Sequence, residues 1–175
     1  MKHLLLVRYG EVHLKGLNRP YFIRALMQQV RAVLRPIQGI RLWQGEGRFY
    51  VEGYPEAREA EIAQAVCRVF GVHSVSPAVG VDKDLDVITE AACAMMREAG
   101  MTEGSFKVYA RRSDKKFPMN SMEIAQDMGG RLLERFPGLS VDLHHPRHQV
   151  CIEVREEAFV YCRELPGAGG MPVGT

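Results

Sequence analysis

An α+β fold in two small domains is what the sequence predicts, and three observations predict it. Short apolar runs and helix-spaced apolar repeats alternate over residues 1–81 in the order strand, helix, strand, strand, helix, strand. The alternation then restarts after Asp82 with a new helical repeat. Pro and Gly mark the segment ends, at Pro36 with Gly39, at Gly100 with Gly104, and at Pro137 with Gly138. With 175 residues, 46% hydrophobic and 25% charged, the chain has apolar material for a core in each half.

The elements of the first half follow from local chemistry. His3 to Arg8 is a short apolar run that reads as a strand. Asn18 is placed to cap a helix entered through Arg19 and Pro20, with Ile23, Met27, Val30 and Leu34 on one face. Arg24, Gln28, Arg31 and Arg35 recur at the same spacing on another face, giving a basic outer stripe. Ile40 to Gln44 and Arg48 to Glu52 flank G-E-G, which suits a hairpin. After Pro55, early glutamates and a late Arg68 follow the charge order a helix dipole favours. Its expected buried face is Ile62, Ala65, Val66, Val69 and Phe70. Val72 to Val81 contains Pro77 and is therefore expected at a sheet edge. This order is the split βαβ, ferredoxin-like arrangement.

In the second half, Leu85, Ile88, Ala92, Met95 and Ala99 predict a helix, and Ser105 to Ala110 a strand. Asn120 and Glu123 form a capping-box pair for a helix over Ser121 to Phe136, with Ile124, Met128 and Leu132 inward. Leu139–Leu143, Gln149–Arg155 and Phe159–Arg163 are further strands. The closing P-G-A-G-G-M-P-V-G-T reads as a linker without regular structure. The expected domains are residues 1–81 and 82–165, followed by a glycine-rich linker over 166–175.

Charge is the strongest functional signal. Lys107, Arg111, Arg112, Lys115 and Lys116 face one acid, Asp114, so this decade carries +4 in a chain whose net charge is +2. The cations lie where a strand opens into a loop that leads to a helix start. Arg forks, Lys point charges and unpaired first-turn amides together make an anion cradle. Tyr109 and Phe117 add aromatic faces, a combination that suits unpaired RNA. Composition alone leaves open a solvated loop, and it leaves the Arg24, Arg31 and Arg35 stripe open to being an ordinary outer helix face.

Other chemistry is thin. His144, His145, His148 and Cys151 match no common zinc spacing, and no metal site is assigned. D-K-D-L-D over 82–86 lacks the glycine and glutamate of a calcium loop and reads as a helix cap. There is no Walker A sequence and no G-x-S-x-G, and no catalytic residue is assigned. Four cysteines without C-x-x-C spacing, no membrane-length apolar run and no signal-peptide pattern point to a reduced, cytoplasmic protein without a membrane partner.

Several stretches resemble one family. R-Y-G-E-V-H-L-K-G-L-N-R-P-Y-F from Arg8, V-F-G-V-H-S-V-S-P from Val69, F-K-V-Y-A-R-R-S-D-K-K-F-P from Phe106 and the closing G-A-G-G-M-P-V-G-T are similar to the tRNA 4-thiouridine synthases (ThiI). The resemblance implies a ferredoxin-like domain followed by an α/β THUMP domain, an RNA-binding module that meets the tRNA acceptor 3′ end. It implies that Lys107, Arg111, Arg112, Lys115 and Lys116 contact phosphate and sugar. Arg24, Arg31 and Arg35 are the expected second tRNA-tracking surface. Tyr9, Glu11, Lys15, Asn18 and Arg19 fall in the N-terminal signature without an assigned contact.

For the parent protein the resemblance implies an ATP-dependent tRNA sulfurtransferase that makes 4-thiouridine at tRNA position eight. Its sulfur would come from a cysteine desulfurase, with a further link to thiamine thiazole biosynthesis and a homodimer as an expected assembly. The ATP-binding S-G-G-x-D-S segment of the family would follow P-V-G-T, so this segment is expected to bind tRNA, to hold no cofactor and to lack catalysis. A protein-docking module and a stand-alone sulfur enzyme with a low-pKa cysteine are the rival readings.

Overall fold

The computed structural model describes residues 1–10 and 18–169, with the side chain of Asn18 outside the description. It divides into two compact units, one of His3–Pro77 with Glu164–Thr175, the other of Met1–Lys2 with Ala78–Arg163. It is an α+β structure, with the ferredoxin-like strand order in its first unit.

The first unit contains β1 (Lys2–Tyr9), α1 (Asn18–Leu34), β2 (Arg41–Gly45), β3 (Arg48–Glu52), a short 3-10 turn (Glu56–Arg58), α2 (Glu59–Cys67) and β4 (Val72–Val81), which supplies residues to both units. Its strand order is β2-β3-β1-β4, the spatial order of the split βαβ unit. β1 runs antiparallel to β3 with Leu5 opposite Val51. Alternation then sends Leu5, Val7, Phe49 and Val51 into one core with Phe22, Leu26 and Val30 of α1 and Ile62 and Val66 of α2.

Three expectations are corrected here. Phe70 is 55% exposed rather than buried, because α2 stops at Cys67 and the chain turns through Gly71 at a φ of 98°. A helical face cannot be projected past the end of its helix. β4 is not an edge strand: β1 neighbours it, Ser74 and Val75 pair with β9 (Leu165–Pro166), and Ala78–Val81 pair with β8 (Ala158–Tyr161). Pro77 falls between those two registers, where a missing N–H breaks neither ladder.

The third correction concerns the glycine-rich segment. Its described part is ordered by pairing with β4 at Pro166 and by backbone bonds from Gly167 to His73, Ala168 to Cys67 and Gly169 to Val72. A Cβ on Gly167 would overlap the Val72 carbonyl oxygen, so only glycine allows this approach. The expected Asn18 cap lies outside the described residues, as does 170–175.

The second unit contains α3 (Leu85–Glu98), β5 (Glu103–Arg112), α4 (Ser121–Arg135), β6 (Gly138–Val141), β7 (His148–Val154) and β8, in the strand order β4-β8-β7-β5-β6. β5 lies parallel to β6 on one side and to β7 on the other. Phe106, Val108, Val150, Ile152 and Val154 face α3 and α4 and form one core with Ile88, Ala92, Ile124, Met128 and Leu132. Asp84 caps α3 by accepting from the Asp86 and Val87 amides. Asn120 and Glu123 form the reciprocal capping box of α4. Arg131 bridges to Asp86 and Arg135 to Glu90, tying α4 to α3.

Candidate nucleic-acid interface

The basic residues of the second unit take three different positions, set by the pleat of β5 and by a rigid turn. Lys107, Tyr109 and Arg111 alternate with Phe106, Val108 and Ala110, so they share the sheet face turned away from the helices. The Lys107 ammonium lies 4.5 Å from the centroid of the Tyr109 ring, and that ring is 38% exposed. Arg111 is exposed one residue pair further along.

The residue opposite Arg111 in the parallel register is Glu153, a buried carboxylate. It accepts from Arg155 Nε at 2.8 Å and from the Tyr161 hydroxyl at 2.6 Å. The nearest cross-strand acid is therefore occupied by other partners. No ion pair among the described residues involves Arg111.

After Arg112 the chain is anchored by the Ser113 and Asp114 amides, which both donate to the Val154 carbonyl. Asp114 then organises the turn. Its Oδ1 accepts from the Lys116 amide at 3.0 Å, and its Oδ2 takes the Lys83 ammonium at 2.7 Å. The Lys83 contact, with the Lys116 amide second, holds the Asp114 carboxyl below its ordinary range. Lys115 and Lys116 are left exposed at the tip, and no carboxylate among the described residues pairs with them.

Two of the residues expected at the interface are engaged within the fold. Phe117 is only 9% exposed and belongs to the core between sheet and helices, so it offers no face to a base. Arg112 Nη1 donates to the Phe117 carbonyl at 3.0 Å, so Arg112 braces the loop that buries Phe117. The helix-start cradle is also narrower than the sequence suggests. The Asn120 amide donates to Glu123 and the Glu123 amide to Asn120, leaving the amides of Ser121 and Met122 beside an acidic side chain.

On the first unit, Arg24 and Arg31 are exposed on α1 and Arg35 is exposed just after its end. Arg31 and Arg35 rim a hollow of about 190 Å³ floored by Leu34, Ile37, Ile40 and Leu42. Tyr9 is a core residue, with ring contacts to Phe49 at 5.1 Å and Phe22 at 6.3 Å. Glu11, Lys15 and the Asn18 side chain lie outside the described residues.

Asp142 Oδ1 accepts from the His144 and His145 amides, and His148 Nε2 bonds the Glu103 carbonyl at 2.9 Å. Among the described residues no three His, Cys, Asp or Glu side chains gather as a metal site. Burial pushes the Cys67 and Cys93 thiols up, and burial with Cys151 nearby pushes Cys162 up to about 12, away from nucleophilic thiolates. No helix among the described residues is long and apolar enough to cross a membrane.

Sequence reasoning missed Lys83, read only as part of a cap region. It also passed over Gly129–Gly130, whose presence inside a helix was the available signal of an open surface.

Comparison with known proteins places these surfaces in context. Residues 4–76 match the ThiI ferredoxin-like domain model, and residues 82–163 match the THUMP domain model. A probable tRNA sulfurtransferase of Macrococcus caseolyticus is 41% identical over 172 residues, covering 98% of this chain and 43% of that protein. PH1313 from Pyrococcus horikoshii Ot3 superposes with a TM-score of 0.85 at 32% identity, covering 98% of this chain and 57% of that one. A 4-thiouridine synthetase solved as an RNA complex with bound ATP gives 0.82 at 27% identity, covering 99% and 44%. The chain thus spans less than half the length of the curated relatives it matches.

Proposed function

The chain belongs to the tRNA sulfurtransferase family, whose ferredoxin-like and THUMP portion it carries, and on that premise we propose that this portion binds tRNA. The observation that carries the reading is the division of labour in the basic loop. Asp114 is committed to Lys83, Glu153 to Arg155 and Tyr161, and Arg111, Lys115 and Lys116 remain exposed for phosphate. Tyr109 beside Lys107 adds a stacking face next to a cation, the pairing that suits an unpaired strand. Phosphate contacts would fix the register of the RNA, while its shape and its accessible acceptor 3′ end supply selectivity.

For the whole protein the same reading is tRNA sulfurtransfer, making 4-thiouridine at position eight in the cytoplasm. ATP would serve an adenylating domain and a cysteine desulfurase would supply sulfur, with a second role in thiamine thiazole synthesis and a homodimeric assembly. A tRNA carrying position eight would be held here and presented to that chemistry. Arg24, Arg31 and Arg35 form the second contact surface in this reading.

The test is a filter-binding titration of the 175-residue chain with a tRNA transcript at several salt concentrations. Micromolar or tighter binding that weakens steeply with salt is expected. Failure to retain tRNA even at low salt would remove the reading.

A further inference from the structure

β2 is the outermost strand of the first unit, and among the described residues it pairs with β3 alone. Glu46 and Gly47, with φ values of 51° and 81°, close a tight hairpin turn between the two strands. Such a turn makes Gly45 and Arg48 a hydrogen-bonded pair, and alternation gives Trp43 with Tyr50 and Arg41 with Glu52 the same bonding. The N–H and C=O groups of Leu42 and Gln44 therefore point outwards, where neither has a backbone partner among the described residues. Exposed edges in soluble proteins are blunted by prolines, lysines or bulges, and β2 has none of these.

The opposite face of β2 is braced. Trp43 stacks on Tyr50 with ring centroids 3.9 Å apart, and Arg41 lies over the indole while bonding Glu52 at 2.8 Å. The edge is thus held in place before anything pairs with it.

On the helix side, Ile40 and Leu42 border the hollow that Leu34 and Ile37 complete, with Arg31 and Arg35 at its rim. At about 190 Å³ it falls short of the roughly 300–1,000 Å³ of small-molecule sites and suits the side chain of an anchor residue. Leu42 belongs to both features, since its peptide groups face the open edge and its side chain lines the hollow. A strand laid beside β2 would send alternate side chains to that face. Charge decides what they carry. α1 has Arg19, Arg24 and Arg31 and no acidic residue, and Arg35 follows directly. Neither Arg31 nor Arg35 enters an ion pair among the described residues.

We propose that the β2 edge and its hollow dock an extended acidic segment of another protein. The segment adds a strand to β2, seats an aliphatic side chain in the hollow and sets a carboxylate against Arg31 and Arg35. The inference goes beyond the tRNA-binding reading and does not rest on it. Phosphates would use the two arginines, but a nucleic acid has no amides and carbonyls at a strand's repeat and would leave the ladder and the apolar floor unused. Charge also disfavours a second copy of the chain, because antiparallel pairing of two β2 strands would set two basic α1 helices side by side.

The test selects binders of the 175-residue chain from a library of random ten-residue peptides, then titrates them while following the fluorescence of Trp43, the single tryptophan. Enriched sequences are expected to place Asp or Glu two positions from an aliphatic residue and to shift the Trp43 emission. Gln44→Pro removes an outward N–H that β3 does not use, and should weaken the selected peptides about tenfold or more. Gln44→Ala gives up the same 3.3 Å bond to the Tyr9 hydroxyl but keeps the N–H, so it should bind like the unaltered chain. Arg31→Glu combined with Arg35→Glu tests the site without touching the β2 backbone. This variant should lose the acidic peptides about tenfold or more at low salt and accept versions in which lysine replaces the acid. No enrichment, enrichment without acidic residues, or equal affinity of Gln44→Pro and Gln44→Ala would overturn the proposal. Weakened tRNA binding by the double arginine variant beside an empty peptide selection would give this surface to RNA alone.

Discussion

Lys83 Nζ lies 2.7 Å from Asp114 Oδ2, joining the segment before α3 to the basic loop after β5 across 31 residues of sequence. The pair takes the one acid of the Lys107–Lys116 stretch out of competition for its cations. The Asp114 carboxyl is depressed, so its contribution is fully present above the ordinary carboxylate range and is lost only as pH falls through the lower folded value. Asp114 should therefore stay ionised throughout the neutral range.

Asp114→Asn preserves the acceptor for the Lys116 amide, removes one negative charge and releases Lys83. The variant is expected to bind single-stranded RNA several-fold more tightly at low salt. Fluorescence anisotropy measures this directly, and weaker binding would mean that the ion pair itself shapes the RNA surface.

Arg111 and Arg112 are adjacent but differ in surroundings, Arg111 being exposed and Arg112 bonded to the Phe117 carbonyl. Arg111→Glu should lower RNA affinity tenfold or more and leave the melting temperature near its original value. Arg112→Glu should lower both, because its bond to the Phe117 carbonyl holds the loop. Paired thermal melts and binding titrations separate the two. Identical behaviour of both variants contradicts the assignment.

The aromatics divide the same way. Phe117→Ala removes a core side chain and should cost about 3 kcal/mol in chemical denaturation. Tyr109→Ala should change stability little and weaken RNA binding, since base stacking on an aromatic ring contributes about 1–3 kcal/mol. A Tyr109 variant that unfolds early but binds normally would reverse the roles.

Cys162 gives the pH-sensitive prediction. Its thiol is pushed up to about 12 by burial and by Cys151, so the folded chain keeps a proton that the unfolded chain releases at its ordinary value near 9. The neutral thiol's contribution is present below the ordinary value and is lost as pH rises towards 12. Stability should fall across that alkaline window, and Cys162→Ala should flatten the fall in urea titrations at pH 8 to 11. An unchanged alkaline limb would place its cause elsewhere.

Local patterns made most of the fold legible. Ile124, Met128 and Leu132 declared the α4 core face, and Asn120 with Glu123 declared its start. Long-range geometry was not legible. Nothing in K-K-F-P shows that Phe117 folds inward, and nothing near Lys83 names Asp114 as its partner. Pro77 misled because a strand can change partners at a proline, and β9 is two residues long, too short to show a period. The cations were visible in the sequence, but their division between exposed and bracing positions depended on where the pleat and the turn aimed them.

The slope of log affinity against log salt tests the central claim most directly, measured with single-stranded RNA for the unaltered chain and for the Arg111→Glu, Lys115→Glu, Lys116→Glu triple variant. Each lost phosphate contact should lower the slope by about 0.7, so a drop of about 2 is expected together with a large loss of affinity. Matching slopes and affinities in the two proteins would show that RNA does not bind at this loop.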